Sequence, residues 1–425
     1  MTTSVGSPRR NWRSIEAVTE TGWLRRLGPW VGIGTSPAAL MVGGGVAEGN
    51  ERWWLAVAIA VGVAALATLA AAQGALGQRR HARLVTLASG SLGREGGRRI
   101  ASPVLAVMMV GWFGFNTSVA GAGLGRLVGV PERVGMAIFA AVMLAVAWHG
   151  LNAVSWTALA AGLATVLFAA EGVHLALRDH TGPLLGDGVP ATSLGVLPAI
   201  AIMVGYGAAF ALRTPDFTHD LARPRHVVWC AALGLALPLI AFATAGAILE
   251  LATGTWNLVD VLQQLGSPTV AYAFVALGCT GSVLTNLHSG AISLEDAVPG
   301  WSHRTGLVAI ATVGTAIATL HFADWMIPYL TALALAAPCL IGVLWLDELR
   351  GRATAPGSRA LGIWAWGAGV AVGVALRALD SPVALPAGIL TAAAIAGAPW
   401  LRDRRRRSGE VTGGAPISRA SPSDK

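Results

Sequence analysis

Apolar residues run through this chain in long blocks, not in the two-residue alternation of a half-buried strand or the single stripe of a surface helix. Twelve blocks have about the 20 residues, with few charges, that cross a bilayer as a helix. They fall at roughly 27–48, 53–76, 103–127, 132–149, 151–177, 193–212, 227–250, 268–294, 305–321, 324–346, 361–379 and 382–401. The polar breaks between them are short and carry arginines. With the N-terminus inside and sides alternating, only Arg52, Arg126, Arg133, Arg178 and Arg377 fall outside, against 25 of the 30 basic residues inside. That asymmetry is what orients membrane helices. The pattern predicts an all-α polytopic membrane protein with about twelve transmembrane helices. Residues 1–26 form an N-terminal tail, 27–401 the transmembrane domain and 402–425 a basic C-terminal tail, with both tails cytoplasmic and the spans in the inner membrane.

Composition narrows the reading. The 425 residues are 54% hydrophobic and 12% charged, with 54 glycines and a net charge of +8. A positive surplus on one side of a membrane reads as contact with the anionic inner leaflet, so nucleic acid is a poor explanation for it. Cys230, Cys279 and Cys339 lie in apolar segments without metal-ligand spacing and read as small core residues. Trp30, Trp53, Trp54, Trp325, Trp345, Trp364 and Trp400 fall at block boundaries, where indoles settle at the membrane interface. The only lysine is Lys425, which rules out a Walker A loop and a Schiff base, and no HExxH motif occurs. No cofactor is expected.

Transporters driven by solute or ion gradients are often inverted repeats whose broken helices expose backbone groups near the midplane. The first block contains Val31-Gly32-Ile33-Gly34-Thr35-Ser36-Pro37 and the sixth Val204-Gly205-Tyr206-Gly207-Ala208-Ala209, 173 residues on. The third contains Gly111-Trp112-Phe113-Gly114 and the eighth Gly278-Cys279-Thr280-Gly281, 167 residues on. These offsets suggest two related halves, about 27–177 and about 193–346, with extra helices over 361–401. Pro37 removes a donor and Gly32 and Gly34 ease unwinding before it. Breaks are therefore expected in the first span and, with no mid-helix proline, less firmly in the sixth. In the third block Trp112 and Asn116 stack on one helix face. An aromatic plane beside a group with both a donor and an acceptor suits a flat, uncharged heterocycle, although an Asn bonding a neighbouring helix beside a core Trp would look the same.

Trp112-Phe113-Gly114-Phe115-Asn116 resembles the third-helix motif of the nucleobase cation symporter family, which includes cytosine/purine permeases and hydantoin transporters. Pro215-Asp216-Phe217-Thr218 resembles that family's Pro-Asp-Phe/Tyr-Thr-Arg loop, with His219 in the Arg place. Pro338-Cys339-Leu340-Ile341-Gly342 with Asp347 resembles its tenth-helix pattern, with Cys339 for a proline and Glu348 for a tyrosine. The resemblance implies a ten-helix core of two inverted five-helix repeats plus two C-terminal helices. It also implies uptake of a cytosine- or purine-like ring, coupled to Na⁺ or H⁺ by alternating access. On that resemblance Trp112 stacks on the substrate and Asn116 bonds its edge. Tyr206 or Gly207 faces it from helix six, Gly34, Thr35 and Ser36 offer backbone and hydroxyl contacts, and Thr285 and Asn286 reach it from helix eight. A cation would sit at Gly34 with Thr280 or Ser282, and the lack of a Ser-Thr or Thr-Thr pair counts against sodium. His288 is either a proton relay or a neutral packed residue, and Glu171 and His174 read as interfacial.

Few charges fall in mid-block, which agrees with a neutral substrate; an acid carrier would more often bury an Arg or Lys. A hydantoin- or vitamin-like ring is the alternative within transport. A membrane-embedded enzyme would need facing nucleophile and base, and only Ser282, His288 and Glu295 could be forced into that role.

Overall fold

The computed structural model describes residues 22–48, 53–178, 180–181, 184, 195–255, 268–320, 322–349 and 358–412. Of the expected tails, 1–26 and 402–425, residues 1–21 and 413–425 lie outside them. Each of the twelve apolar blocks is helical. The first is split into α1 (Leu27–Gly34) and α2 (Pro37–Glu48), followed by α3 (Trp53–Arg80), α4 (Leu84–Gly96), α5 (Ser102–Val128), α6 (Glu132–Ala147) and α7 (Leu151–Arg178). The second half has α8 (Val196–Arg213), α9 (Pro215–Thr218), α10 (Pro224–Trp229), α11 (Leu237–Thr253), α12 (Pro268–Ala297), α13 (His303–Ala318) and α14 (Met326–Leu349). Last come α15 (Ser358–Ala378) and α16 (Ala384–Thr412). Helix α16 carries on past residue 401, where the sequence predicts a tail. Residues 77–102, read as a loop, hold α4.

Among the described residues eight helices are long and apolar enough to span a bilayer, and nine with the bent pair α1 and α2. Helices α6 and α13 have 16 residues each, about 24 Å at 1.5 Å per residue, so they owe their place to packing against their neighbours. Helices α10 and α11 form one span through a π-helical turn at Cys230–Ala236. Pro238 supplies no N–H to the carbonyl of Gly234, four residues earlier, and the widened turn absorbs that loss.

The packing is reciprocal. Helix α2, the second half of span one, lies on α11 of span seven, while α8, span six, lies on α3, span two; α5 and α12 meet at the centre. This is the cross-pairing of an inverted 5+5 core. The α2–α11 contact is backbone on backbone: a Cβ on Gly43 would sit 2.0 Å from the Ala243 carbonyl oxygen, and one on Gly246 1.9 Å from that of Leu40. With no water to expel between helices in lipid, such close van der Waals approach is what binds them.

The tryptophans divide. Trp53, Trp54, Trp325 and Trp364 are exposed at helix ends as expected, and Trp345 is half-buried. Trp30 corrects the expectation: it is fully buried, edge-on to Phe210 with ring centroids 5.0 Å apart. The three cysteines are free and buried.

Candidate functional site

Pro37 breaks span one where the sequence expects it. Helices α1 and α2 bend by 41° across Thr35 and Ser36, and Ser36 caps α2, its Oγ accepting the Ala38 N–H at 3.3 Å. The carbonyl of Ile33 should accept from residue 37, but proline has no N–H. The hydroxyl of Tyr206 donates to it, beside a long bond of 3.4 Å from the Ser36 N–H. Span six differs from expectation: α8 runs unbroken through Val204–Ala209 and ends at Thr214-Pro215, because a helix without an internal proline keeps its ladder.

Tyr206, Phe210 and Arg213, at i, i+4 and i+7, share one face of α8. With Ile33, Trp112, Ser282 and Asn286 they line a cavity at the heart of the bundle. Its empty volume is 230 Å³, of which 10 Å³ admits the centre of a water-sized sphere, room for about one water. Trp112 meets Tyr206 edge-on at 5.6 Å and 89°, and Tyr329 at 5.7 Å and 75°. Tyr329 in turn abuts Phe322 and donates to the Met108 carbonyl. The arrangement is a closed aromatic box.

Of the residues expected at a substrate, Trp112, Tyr206 and Asn286 line this cavity, as does Ser282 from the cation set. Asn116 is fully buried, but its Nδ2 donates to the Trp112 carbonyl at 2.8 Å and its Oδ1 accepts from Ser36 Oγ at 3.4 Å. It ties α5 to the break in span one. Gly207 faces away, since a Cβ there would meet the Leu66 side chain at 2.4 Å. Gly34 faces the π turn, 2.9 Å from Pro238 by the same measure. Thr35 bonds the Val31 carbonyl at 2.8 Å and Thr285 that of Gly281 at 2.7 Å. Thr280 bonds the Ala276 carbonyl at 3.1 Å. Two residues from Ser282, it points about 200° away around α12, so the two hydroxyls do not face one another.

Arg213 is the residue sequence reasoning missed. Beside Pro215-Asp216 it reads as a loop residue on the basic side, yet it is completely buried and lines the cavity. It is one of the few charges in mid-bundle, and of the kind that an acid carrier more often buries. Its Nη1 donates to the Thr285 carbonyl at 3.0 Å and lies 2.7 Å from Met109 Sδ, and its Nη2 donates to Asn286 Oδ1 at 2.9 Å. Phe210 and Phe217 flank the guanidinium at 5.4 and 5.5 Å. The seven-residue spacing from Tyr206 was the signal that could have found it.

The Pro215–Thr218 motif works as a clamp below the cavity. Thr218 Oγ1 bonds the Gly74 carbonyl at 2.8 Å, and Asp216 Oδ1 accepts the Leu84 N–H at 3.0 Å, capping α4. Burial pushes the Asp216 carboxyl up to about 6. Arg26 forms an ion pair with Asp220, and Arg80 one with Glu348. Ser282, His288 and Glu295 do not converge: His288 packs edge-on to His303 at 4.7 Å, and Glu295 lies 3.7 Å from His303. Glu171 and His174 are exposed.

The chain is similar to known proteins in sequence and in fold. A family profile described as permease for cytosine/purines, uracil, thiamine, allantoin matches residues 21–361. The cytosine permease of Escherichia coli O157:H7 is 25% identical over 327 residues, 76% of each chain. The hydantoin permease of Microbacterium maritypicum is 23% identical over 353 residues, 75% of this chain and 71% of its own. Among solved structures, the fold is similar to that of Mhp1, a nucleobase-cation-symport-1 family transporter in a closed conformation with bromovinylhydantoin bound. The TM-score is 0.79 at 20% identity, over 91% of this chain and 94% of that one. A Na⁺-coupled sialic acid symporter matches with TM-score 0.65 at 12% identity, over 90% of each chain.

Proposed function

From the premise that this chain belongs to the family of permeases for cytosine/purines, uracil, thiamine and allantoin, we propose how its bundle carries cargo. It is a nucleobase-class membrane transporter, and its relatives are permeases, not enzymes. The cargo is a small planar heterocycle taken into the cavity between Trp112, Tyr206 and Asn286, by alternating access, with Na⁺ or H⁺ as the driving ion. The observation that carries this reading is the aromatic box itself: indole, phenol and phenyl walls beside an amide at a broken helix, the composition of a pocket for a flat polar ring. Ion pairs fasten one end of the bundle, Arg26 at the start of span one to Asp220 after span six, and Arg80 closing span two to Glu348 closing span ten. Most basic residues gather at that end, which we assign to the cytoplasm, with the spans in the inner membrane.

The test is uptake of radiolabelled cytosine, adenine, uracil and hydantoin by the full-length protein in proteoliposomes under an inward Na⁺ or H⁺ gradient. At least one ring should accumulate under one gradient, and Trp112→Ala should weaken its binding by tenfold or more, the scale of one lost base–aromatic stack. Uptake of none of them, or a Trp112→Ala protein that binds as well as the wild type, would overturn the reading.

A further inference from the structure

The cavity wall formed by Arg213 and Asn286 holds donors without acceptors. Arginine carries five N–H groups and no acceptor, so the Asn286 amide must turn its oxygen to the guanidinium, and it does. Its Nδ2 is thereby aimed elsewhere, and that nitrogen is buried with no partner. The Nε of Arg213 is likewise buried with no partner. The groups that do contact Arg213 are a carbonyl, an amide oxygen, a thioether and two phenyl faces, all uncharged. Asp216, three residues on, spends an oxygen on the Leu84 N–H, and among the described residues no carboxylate forms an ion pair with Arg213. Asp216 therefore acts on Arg213 only from a distance, as a charge interaction without an ion pair. A buried cation with no carboxylate in contact is costly, and an ionisable group inside a bundle that bears that cost is a site for something that compensates it.

We propose that the cargo of this cavity is a planar heterocycle bearing a carboxylate, held with the ring against Trp112 and Tyr206 and an anionic oxygen between Arg213 Nε and Asn286 Nδ2. This rests on the heterocycle reading above and narrows it from a neutral ring to an acid. Hydrogen bonds to a charged acceptor are roughly twice as strong as neutral ones. The two orphaned donors therefore discriminate between an acid and the same ring without its carboxylate.

The experiment compares uracil with uracil-6-carboxylate, rings that differ only in the acid group, on the detergent-purified full chain by thermal shift and in proteoliposomes by competition. The wild type should bind the carboxylate at least tenfold more tightly. Arg213→Gln should reduce that preference by tenfold or more. Asn286→Asp, which supplies Arg213 with a resident carboxylate and so does not strand the charge, should abolish or invert it, and it decides the matter if Arg213→Gln fails to fold. A wild type that binds uracil as tightly as its carboxylate, or a preference that survives in Asn286→Asp, would overturn the proposal while leaving a heterocycle transporter in place. Binding of neither uracil, its carboxylate nor any neutral nucleobase would overturn both.

Discussion

Asp216 shows how a residue outside the cavity answers to its surroundings. Desolvation drives its carboxyl up to about 6, Asp296 adds to the rise, and Leu84 N–H, Arg83 and Arg213 oppose it. An unfolded aspartate titrates near 3.9, so folding takes up a proton between about pH 4 and pH 6. The contribution of this group to stability is full below that window and is lost as pH rises through it. Asp216→Asn keeps an acceptor for Leu84 and removes the titration. In melting curves from pH 4 to pH 7, the variant should gain on the wild type as pH rises; parallel curves would refute the assignment.

At the level of helices, the sequence disclosed most where one residue type dictates the backbone. Pro37 fixes the break in span one by subtracting a single N–H, and that was legible. The unbroken α8 differs from the expected break because paired glycines permit a break without requiring one. Arg213 was hidden because a charge at the end of an apolar run looks the same whether it snorkels to water or turns inward. Only the face it shares with Tyr206 separates the two. The family resemblance puts Gly34 and Gly207 at the cargo by position in a motif, whereas a Cβ at either would meet a neighbouring helix. The same logic yields a test at the crossing of α1 and α12, where a Cβ on Gly281 would come 2.8 Å from the Gly32 Cα. Overpacking of this kind costs about 1–3 kcal/mol. Gly281→Ala should therefore lower the melting temperature and abolish uptake. Gly367→Ala on α15, with open space around it, should leave both unchanged or raise stability slightly, as alanine for glycine in a helix does.

Across the whole molecule, the ion pairs at one end and the aromatic box at the centre divide the work of closure. The Arg26–Asp220 pair is largely shielded, with side chains only 14% and 13% exposed, and Nε also donates to Oδ2 at 3.1 Å. Hydrogen bonds to charged groups contribute about 1.5–3 kcal/mol, enough to shift a two-state population more than tenfold. Asp220→Asn should speed amide exchange at residues 23–27 and 214–221, while exchange across the α2–α11 contact stays slow. Equal acceleration at both would mean general loosening.

The bond from Tyr206 to the Ile33 carbonyl joins positions 173 residues apart, the same offset that separates the glycine motifs of spans one and six. Residues related by a twofold touch only where the axis passes between them, which would set this contact equidistant from the two mouths of the pathway. A lesion at such a fulcrum bears evenly on influx and efflux: Tyr206→Phe should slow both by the same factor, whereas severing Arg26 from Asp220 should tilt their ratio.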